Sequence, residues 1–462
     1  MNSTVKSLFS PVDMTQGVPW KKIAAFTMPM LIGNIAQQLY NTVDSIVVGK
    51  YIGDSALAAV GSAGPIVNLL IVLFVGISVG ASVMVSQYFG AGIKEGLSKT
   101  IGNCITLTAI ASLIIMIAAT MLAKPMLMLL NTPDSIIEWS TSYLQILFLG
   151  SAGLAFFNIL SGVLRGLGDS ITALLFLLIS SVVNIALDLF FVVSLGMGVE
   201  GVAYATIIAQ GISGALCIIK LRSMSTSFIL KRSSFKLKRE YAGNIIKLGV
   251  PSGVTQAILA MSMLMVQALT NSFGETLIAA NVIIMRVDGF VMLPNQSFGN
   301  GLTTYAGQNV GAGNIKRVRQ GAKQGTILTI AITFTLTIII LIFGKQLMGV
   351  FTNTEELINL SIRMIYIMSP GYIAMGIAQC LSGTMRGAGD TMTPMWIAIV
   401  MTVGIRVPLA YLMTNLTKSE MYVNGRPESI FLSLLISLVI GAILSTIFYK
   451  RGKWEKYRIV KE

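Results

Sequence analysis

The sequence contains no histidine and few charged residues, since Asp, Glu, Lys and Arg make up only 11% of its 462 positions. A soluble globular protein carries about 25% charged residues. A chain that is 54% hydrophobic cannot cover its surface with polar groups in water. Without histidine, a Ser–His catalytic pair and a His-containing metal site are excluded. We therefore predict a membrane protein that is not an enzyme.

Cysteine is also scarce, and Cys104, Cys217 and Cys380 lie in apolar stretches at no metal-ligand spacing. A disulfide framework and a zinc site are therefore not indicated. The glycine-rich segments lack the GxxxxGK[ST] pattern of a phosphate loop. No cofactor is expected, and the energy for any transport has to come from an ion gradient.

Long apolar runs are abundant. A helix that crosses the bilayer needs about 20 mostly apolar residues. Twelve segments predict an all-α membrane protein with twelve transmembrane helices: 24–48, 56–84, 99–123, 138–164, 171–195, 198–220, 244–273, 276–305, 321–343, 359–385, 392–414 and 428–449. The first segment is interrupted by polar residues and is included because of an internal repeat.

The basic residues predict the orientation, because cytoplasmic loops are enriched in Lys and Arg. With both termini inside, most of the 33 Lys and Arg residues fall on the cytoplasmic side, including a basic cluster around 221–243 and a basic tail at 450–462. The net charge of +14 then serves orientation and contact with anionic lipid. We predict a multi-pass protein of the cell membrane with no nucleic-acid partner.

The repeat has an offset of 221 residues. QYFGAG at 87–92 returns as QNVGAG at 308–313, and RGLGD at 165–169 returns as RGAGD at 386–390. Pro29 matches Pro251 with one residue of slippage. Each repeat holds six spans, so both halves enter the membrane in the same direction. This predicts two six-helix lobes related by a pseudo-twofold axis along the membrane normal, as in transporters that work by alternating access.

The predicted domains follow from the repeat: a cytoplasmic N-terminal segment 1–22, an N-lobe 23–220, a linker 221–243, a C-lobe 244–449 and a tail 450–462. The repeated glycine motifs fall at predicted cytoplasmic helix ends. Glycine there supplies left-handed caps, and an arginine in the last turn interacts with the helix dipole. We interpret both motifs as structural.

Taken together, the two six-span halves, the RGxGD loops and Tyr40-Asn41-x-x-Asp44 in a polar first span resemble the multidrug and toxic compound extrusion (MATE) family. An acid in span one with Asn184-x-x-x-Asp188 in span five is similar to its prokaryotic DinF-like branch. The resemblance implies export of small cationic, amphipathic compounds in exchange for Na⁺ or H⁺. It also implies a coupling-ion site at Asp44, Asn184, Asp188 and Thr206.

The residues themselves allow such a site. An ionised Asp deep in the bilayer is costly, so Asp44 and Asp188 should face the protein interior. Each continues a polar stripe at three- to four-residue spacing along its helix. At 1.5 Å per residue, Asp44, Asp188 and Thr206 lie roughly 6, 10 and 12 Å below the outer ends of their spans. Carboxylate, amide and hydroxyl oxygens suit Na⁺, and two carboxyl groups can hold a proton.

The second half lacks this arrangement, because Ile405 and Leu409 stand at the positions equivalent to Asn184 and Asp188. Coupling is therefore predicted in the N-lobe alone. In the C-lobe, Asp288 is predicted to form a structural ion pair with Arg406 or with nearby Arg286. Polar residues predicted to line the cavity are Tyr40, Asn41, Asn158, Gln210, Gln256 and Gln267.

Three alternative functions fit the sequence less well than export of cationic compounds. A flippase for lipid-linked saccharides shares the two-lobed design, but its anionic substrate requires a cavity lined by Arg or Lys, whereas the better-marked intramembrane pair here is acidic. A membrane-embedded hydrolase or transferase lacks the necessary motifs, and a channel lacks a filter-like segment. The sequence leaves the substrate and the choice between Na⁺ and H⁺ open, and a monomer is expected.

Overall fold

The computed structural model describes residues 11–224, 228–420 and 422–460, apart from the side chains of residues 41, 45, 46 and 54. The described residues form helices and connecting turns, with no strand among them. The long helices are α1 Pro19–Val47, α2 Asp54–Gly90, α3 Lys94–Leu129, α4 in two segments (Asp134–Leu149 and Ser151–Gly166), α5 Ser170–Ser194, α6 Val199–Ser223, α7 Arg239–Asn271, α8 Glu275–Gly311, α9 Ile315–Gly349, α10 Glu355–Ala388, α11 Met392–Leu416 and α12 Glu428–Lys450.

Ten of these helices are long and apolar enough to cross a membrane, and the bent α4 is an eleventh if its two segments form one span. In α3 the most apolar window is only 11% buried, so this apolar surface would be exposed to water without a bilayer. The remaining helix, α1, has 29 residues and carries the polar stripe that lowered the hydropathy of the first predicted span. The described chain is therefore a multi-span membrane protein.

Helix α4 departs from the single straight span predicted over 138–164. Its segments meet at Gly150 with a bend of 53°. A β-carbon at Gly150 would lie 2.2 Å from Ile207 Cγ2, so α6 packs against the backbone at the break. A larger residue has no room at this position.

The described residues include three π-helical turns. One, Val48–Ile52, directly follows α1, and the other two lie within α5 (Leu189–Ser194) and α11 (Val400–Arg406). Such turns are rare and frequently occur at functional sites. The first two follow Asp44 and Asp188 closely, and the second begins directly after Asp188.

Two compact units make up the chain. Unit 1 contains residues 1–13 and 28–253, and unit 2 contains residues 14–27 and 254–462. The first part of α1 thus belongs to unit 2 and the first part of α7 to unit 1, whereas the sequence placed each helix wholly within its own lobe. The changes of unit occur near Pro29 and Pro251. The domain limits derived from the sequence stay predictions.

Close backbone contacts explain where these helices pack. A β-carbon on Gly80 of α2 would lie 2.4 Å from Ile245 O and 2.8 Å from Gly249 N of α7. The repeat-related Gly301 of α8 faces Thr27 of α1, with a β-carbon placed 2.2 Å from Thr27 Oγ1. Glycine is therefore required at both crossings because a helix or its side chain fills the space of a side chain.

The RGxGD motifs end one helix and begin the next. Gly168 and Gly389 have φ values of 89° and 105°, in the left-handed region that favours glycine. Asp169 then caps α5, with Oδ1 accepting from Thr172 N at 3.0 Å, and Asp390 caps α11 through Thr393 N at the same distance. The left-handed glycine caps expected in these loops are confirmed.

Candidate coupling-ion site

Asn184 connects α1, α5 and α6 in unit 1. In the amide orientation that satisfies its neighbours, Asn184 Nδ2 donates to Asp188 Oδ2 at 2.8 Å and to Tyr40 Oη at 3.1 Å, while Oδ1 accepts from Thr206 N at 3.1 Å. The three- to four-residue spacing along α5 places Asn184 and Asp188 on one face. The amide therefore fixes the position of the Asp188 carboxyl group.

Asp44 of α1 lies against Asp188, and their carboxyl groups interact directly. Asp188 is buried, with 0% of its surface exposed, and Asp44 is half-buried. Within the described residues, neither Asp44 Oδ1 nor Asp188 Oδ1 has a hydrogen-bond partner. Two adjacent carboxylates with unpaired buried oxygens repel each other unless a cation or a proton is shared between them.

Two tyrosines lie close to Asn184 and the carboxylate pair. Tyr40 accepts from Asn184, and the buried Tyr143 on α4 is close enough to interact electrostatically with both carboxylates. Nothing in the sequence predicted Tyr143, because it follows Ser140, Thr141 and Ser142 and these hydroxyl residues do not mark a single polar face of α4. Only the packing of α4 brings it to the pair.

Open space adjoins the site in unit 1. A small upper cavity is lined by Tyr40, Asn184, Thr206 and Gln210, among others. A larger lower cavity is lined by Asn158 and Arg165, among others. Both cavities share Gln37 and Leu177, so they adjoin along α1 and α5.

The donor set fits a small monovalent cation or a proton. It consists of two carboxyl groups and two tyrosine hydroxyls, all of which offer oxygen, while the Asn184 amide donates to Asp188 and so holds one carboxyl group in place. No cluster of three His, Cys, Asp or Glu side chains occurs in the part of the chain that the structure describes.

The MatE family model matches the chain twice, over residues 29–190 and 251–412. The chain belongs to the MATE family. The matched segments cover both repeats and begin 222 residues apart, in agreement with the repeat and its single-residue slippage. The family expected from the RGxGD loops, Asp44 and Asn184-x-x-x-Asp188 is confirmed.

Relatives and solved structures of this family extend over nearly the whole chain. The probable multidrug resistance protein YoeA of Bacillus subtilis is 30% identical over 96% of each chain. The probable multidrug resistance protein NorM of Thermotoga maritima is 25% identical over 95% of this chain and 94% of its own. A multidrug resistance MATE transporter in an outward-facing conformation shares the fold, with a TM-score of 0.88, 23% identity and coverage of 96% and 97%.

The other predicted site and cavity residues in unit 1 of this MATE protein differ from one another in what they contact. Thr206 takes part through its backbone N–H, while its hydroxyl donates to Val202 O at 3.0 Å. Gln210 lines the upper cavity and Asn158 the lower one. The side chain of Asn41 lies outside the described residues.

The two predicted cavity residues of unit 2 lie elsewhere. Gln256 is exposed on α7, and it lines neither of the two cavities described. Gln267 donates to Asn271 at 2.8 Å and accepts from Asn281 at 3.0 Å, near the ends of α7 and α8. Both helices have polar residues that a sequence pattern cannot assign to one cavity.

The ion pair predicted in the second half is wrong for the described residues. Asp288 accepts a hydrogen bond from Tyr372 of α10, and Arg406 Nε donates to Ser437 Oγ at 3.1 Å. The salt bridges among the described residues include neither Asp288–Arg406 nor Asp288–Arg286. Each charged group is satisfied by a neutral hydroxyl on an adjacent helix, which spacing along the sequence does not reveal.

Proposed function

We propose that the chain is a secondary active multidrug exporter that exchanges small cationic amphipathic compounds for Na⁺ or H⁺ by alternating access. The observation that carries this proposal is the adjacent Asp44–Asp188 pair, whose unpaired oxygens lie beside a polar cavity. A pair of this kind binds either a cation or a proton, and its occupancy changes its net charge. The relatives named as multidrug resistance proteins support the class of substrate.

The geometry suggests how exchange would work. When a monovalent coupling ion occupies the pair, one of its two negative charges is compensated, the repulsion between Asp44 and Asp188 falls, and α1 and α5 can approach each other. Because Asn184 joins Asp188 to Tyr40 and to α6, a shift of the carboxyl group is transmitted to two neighbouring helices. Release of the ion restores the negative charge, which again attracts a cationic compound into unit 1.

The remaining parts of the proposal concern the membrane. We assign twelve spans in two six-helix lobes, with α1 as the first span, and a monomer in the cell membrane with both termini in the cytoplasm. The acid in α1 and the Asn-x-x-x-Asp motif in α5 favour the DinF-like branch. No cofactor and no catalytic activity are assigned.

Ethidium efflux from proteoliposomes tests the function. We expect efflux under an imposed Na⁺ gradient, an imposed pH gradient or both. Asp44→Asn and Asp188→Asn should each reduce gradient-driven efflux to the rate of protein-free liposomes. Asp288→Asn is the matched control, because it removes an intramembrane carboxylate whose partner is Tyr372, and it should retain coupling.

Two outcomes would contradict the proposed exporter. Normal gradient-driven efflux by Asp44→Asn and Asp188→Asn would remove the assigned mechanism. A flippase for lipid-linked saccharides is the second candidate, and it is favoured by one observation, the position of Arg165 in the lower cavity. Scrambling of a lipid-linked sugar without transport of any cation would select the flippase.

A further inference from the structure

Arg165 occupies the far end of the cavities that begin at the coupling-ion site. It lies in the last turn of α4, and it lines the lower cavity together with Ser170, the first residue of α5. From Ser170 to Asn184, α5 rises by about 21 Å. The cavities therefore follow α5 from its first turn to Asn184, which contacts Asp188 of the carboxylate pair.

The lining of these cavities is polar along most of this length. Ser180 and Asn184 of α5 line the upper cavity, and Asn34 and Asn158 line the lower one, with Gln37 in both. A polar cavity with room for a water molecule is hydrated when the water finds several hydrogen-bond partners, as these linings provide. A hydrated route within unit 1 would give the bound ion a way out that needs no alternating access.

The positive charge of Arg165 is not neutralised by a carboxylate. Its hydrogen bond among the described residues joins Nη2 to Ser78 Oγ at 3.5 Å, and no salt bridge in the described ranges includes it. Asp169, the nearest acid in the sequence, is occupied by Thr172 and by Lys220 at 3.4 Å. Arg165 therefore keeps its charge at the cavity wall.

The first turn of α5 also lines this cavity, through Ser170. The partial positive charge of that helix end is offset by the Asp169 carboxylate that caps it, so Arg165 supplies the positive charge on this wall. Arginine side chains exclude cations and protons from water-filled pores. The lower cavity therefore repels the ions that the Asp44–Asp188 pair attracts.

We propose that Arg165 is an electrostatic barrier that prevents the coupling ion from leaking through unit 1 to the cytoplasm. This inference rests on the proposed function and on the proposed orientation, and it assigns Arg165 a role beyond its place in the RGxGD loop. The ion that reaches Asp44 and Asp188 from outside is then retained until the protein changes conformation. Coupling is kept tight because the shorter route is closed to cations.

The repeat supplies a matched control. Arg386 stands 221 residues after Arg165 in the second RGxGD motif, also in the last turn of its helix. Unit 2 has Ile405 and Leu409 where unit 1 has Asn184 and Asp188. It therefore has no equivalent carboxylate pair from which a bound ion could pass Arg386. A general effect of losing a motif arginine should appear in both variants, and a barrier effect should appear in Arg165 variants alone.

The experiment measures passive Na⁺ and H⁺ entry into proteoliposomes without any drug. A unit charge that acts over about 10 Å at an effective dielectric constant of about 20 changes a rate by about tenfold, so Arg165→Gln should leak about tenfold faster for at least one of the two ions. Arg165→Lys retains the charge and should remain as tight as wild type and Arg386→Gln. Adding Asp188→Asn to Arg165→Gln should abolish the leak, because the ion then loses its binding point on the route.

The results separate this inference from the proposed function. Wild-type ethidium efflux under an ion gradient tests the exporter, irrespective of Arg165. If the wild type exports ethidium and Arg165→Gln is as tight as Arg386→Gln for both ions, the barrier is wrong. Equal leaks from Arg165→Lys and Arg165→Gln, or a leak that persists with Asp188→Asn, would overturn it as well.

Discussion

Asn103 and Gln324 lie 221 positions apart, and each uses its side-chain amide oxygen to hold the beginning of a helix. Asn103 Oδ1 accepts from Lys238 N at 2.8 Å, directly before α7. Gln324 Oε1 accepts from Trp20 N at 3.1 Å, in the first turn of α1. Both helices begin with N–H groups that lack partners within the helix, so the repeat has preserved one solution in both units.

Replacing these amides should destabilise the protein to different degrees. Asn103 is fully buried and also donates to Lys99 O at 2.9 Å, so Asn103→Ala leaves several buried groups unpaired and should cost about 1–3 kcal/mol. The Gln324 bond is exposed, and Gln324→Ala should cost about 0.5–1 kcal/mol. Thermal unfolding midpoints in detergent measure the order, and a larger effect at Gln324 would contradict it.

Gly301 and Gly80 each lie where two helices pack closely, but a second substitution should relieve the clash of an added β-carbon only at Gly301. Gly301→Ala clashes with the Thr27 hydroxyl, which has no hydrogen-bond partner among the described residues. Thr27→Ala should therefore restore the folded yield of Gly301→Ala. Gly80→Ala clashes with backbone atoms of Ile245 and Gly249, so shortening a side chain should not help.

Size-exclusion profiles of the purified variants measure this difference. Gly301→Ala should lose most of its monodisperse protein, and the double variant with Thr27→Ala should recover it. Thr27→Ala alone serves as the control and should resemble the wild type. Failure of the double variant would show that Gly301 is needed for a different reason.

The amide of Asn184 should matter more than the hydroxyl of Thr206. Asn184→Leu removes the donor to Asp188 Oδ2 and should weaken ion-dependent efflux by about 10–100-fold, as is typical when a group that orients an ion ligand is lost. Thr206→Val keeps the backbone N–H that contacts Asn184 and should reduce it only a few-fold. The ion concentration for half-maximal efflux is the measurement, and equal losses would favour a direct role for the hydroxyl.

The buried cysteines make the orientation testable. Cys104, Cys217 and Cys380 are at most 1% exposed, so the native chain should not react with a membrane-impermeant maleimide in whole cells. Val423→Cys, in a predicted outer loop and 74% exposed in the wild type, should be labelled. Ser233→Cys, in the linker, should be labelled only after permeabilisation. The reverse pattern would invert the proposed topology.

Much of the architecture could be predicted because apolar runs and a repeat are properties of the sequence itself. Helical periodicity placed Asp44 and the Asn184–Asp188 pair on polar faces of their helices, whereas their grouping into one site came from the resemblance to the MATE family. The helices are longer than the predicted spans, as in α8, where Glu275–Gly311 replaces 276–305. Helices can continue beyond the apolar core of a bilayer, where hydropathy no longer marks their ends.

Contacts between distant helices were beyond the reach of periodicity. The bend at Gly150 depends on Ile207, and the position of Tyr143 beside the carboxylates depends on the packing of α4. For the same reason the partners of Asp288 and Arg406 proved to be Tyr372 and Ser437. A charge in an apolar span indicates that a partner is needed, but a hydroxyl satisfies that need as well as an opposite charge does.

The change of unit within α1 and α7 has a consequence for how such a chain could have arisen. If it were divided in the basic segment before α7, the first fragment would carry residues 14–27, which belong to unit 2, and the second would carry the start of α7, which belongs to unit 1. Neither fragment would contain a complete fold. An ancestor of one repeat in length would have exchanged this segment with a second copy of itself and so formed an obligate homodimer. Gene duplication and fusion would then have joined two subunits that already depended on each other to fold.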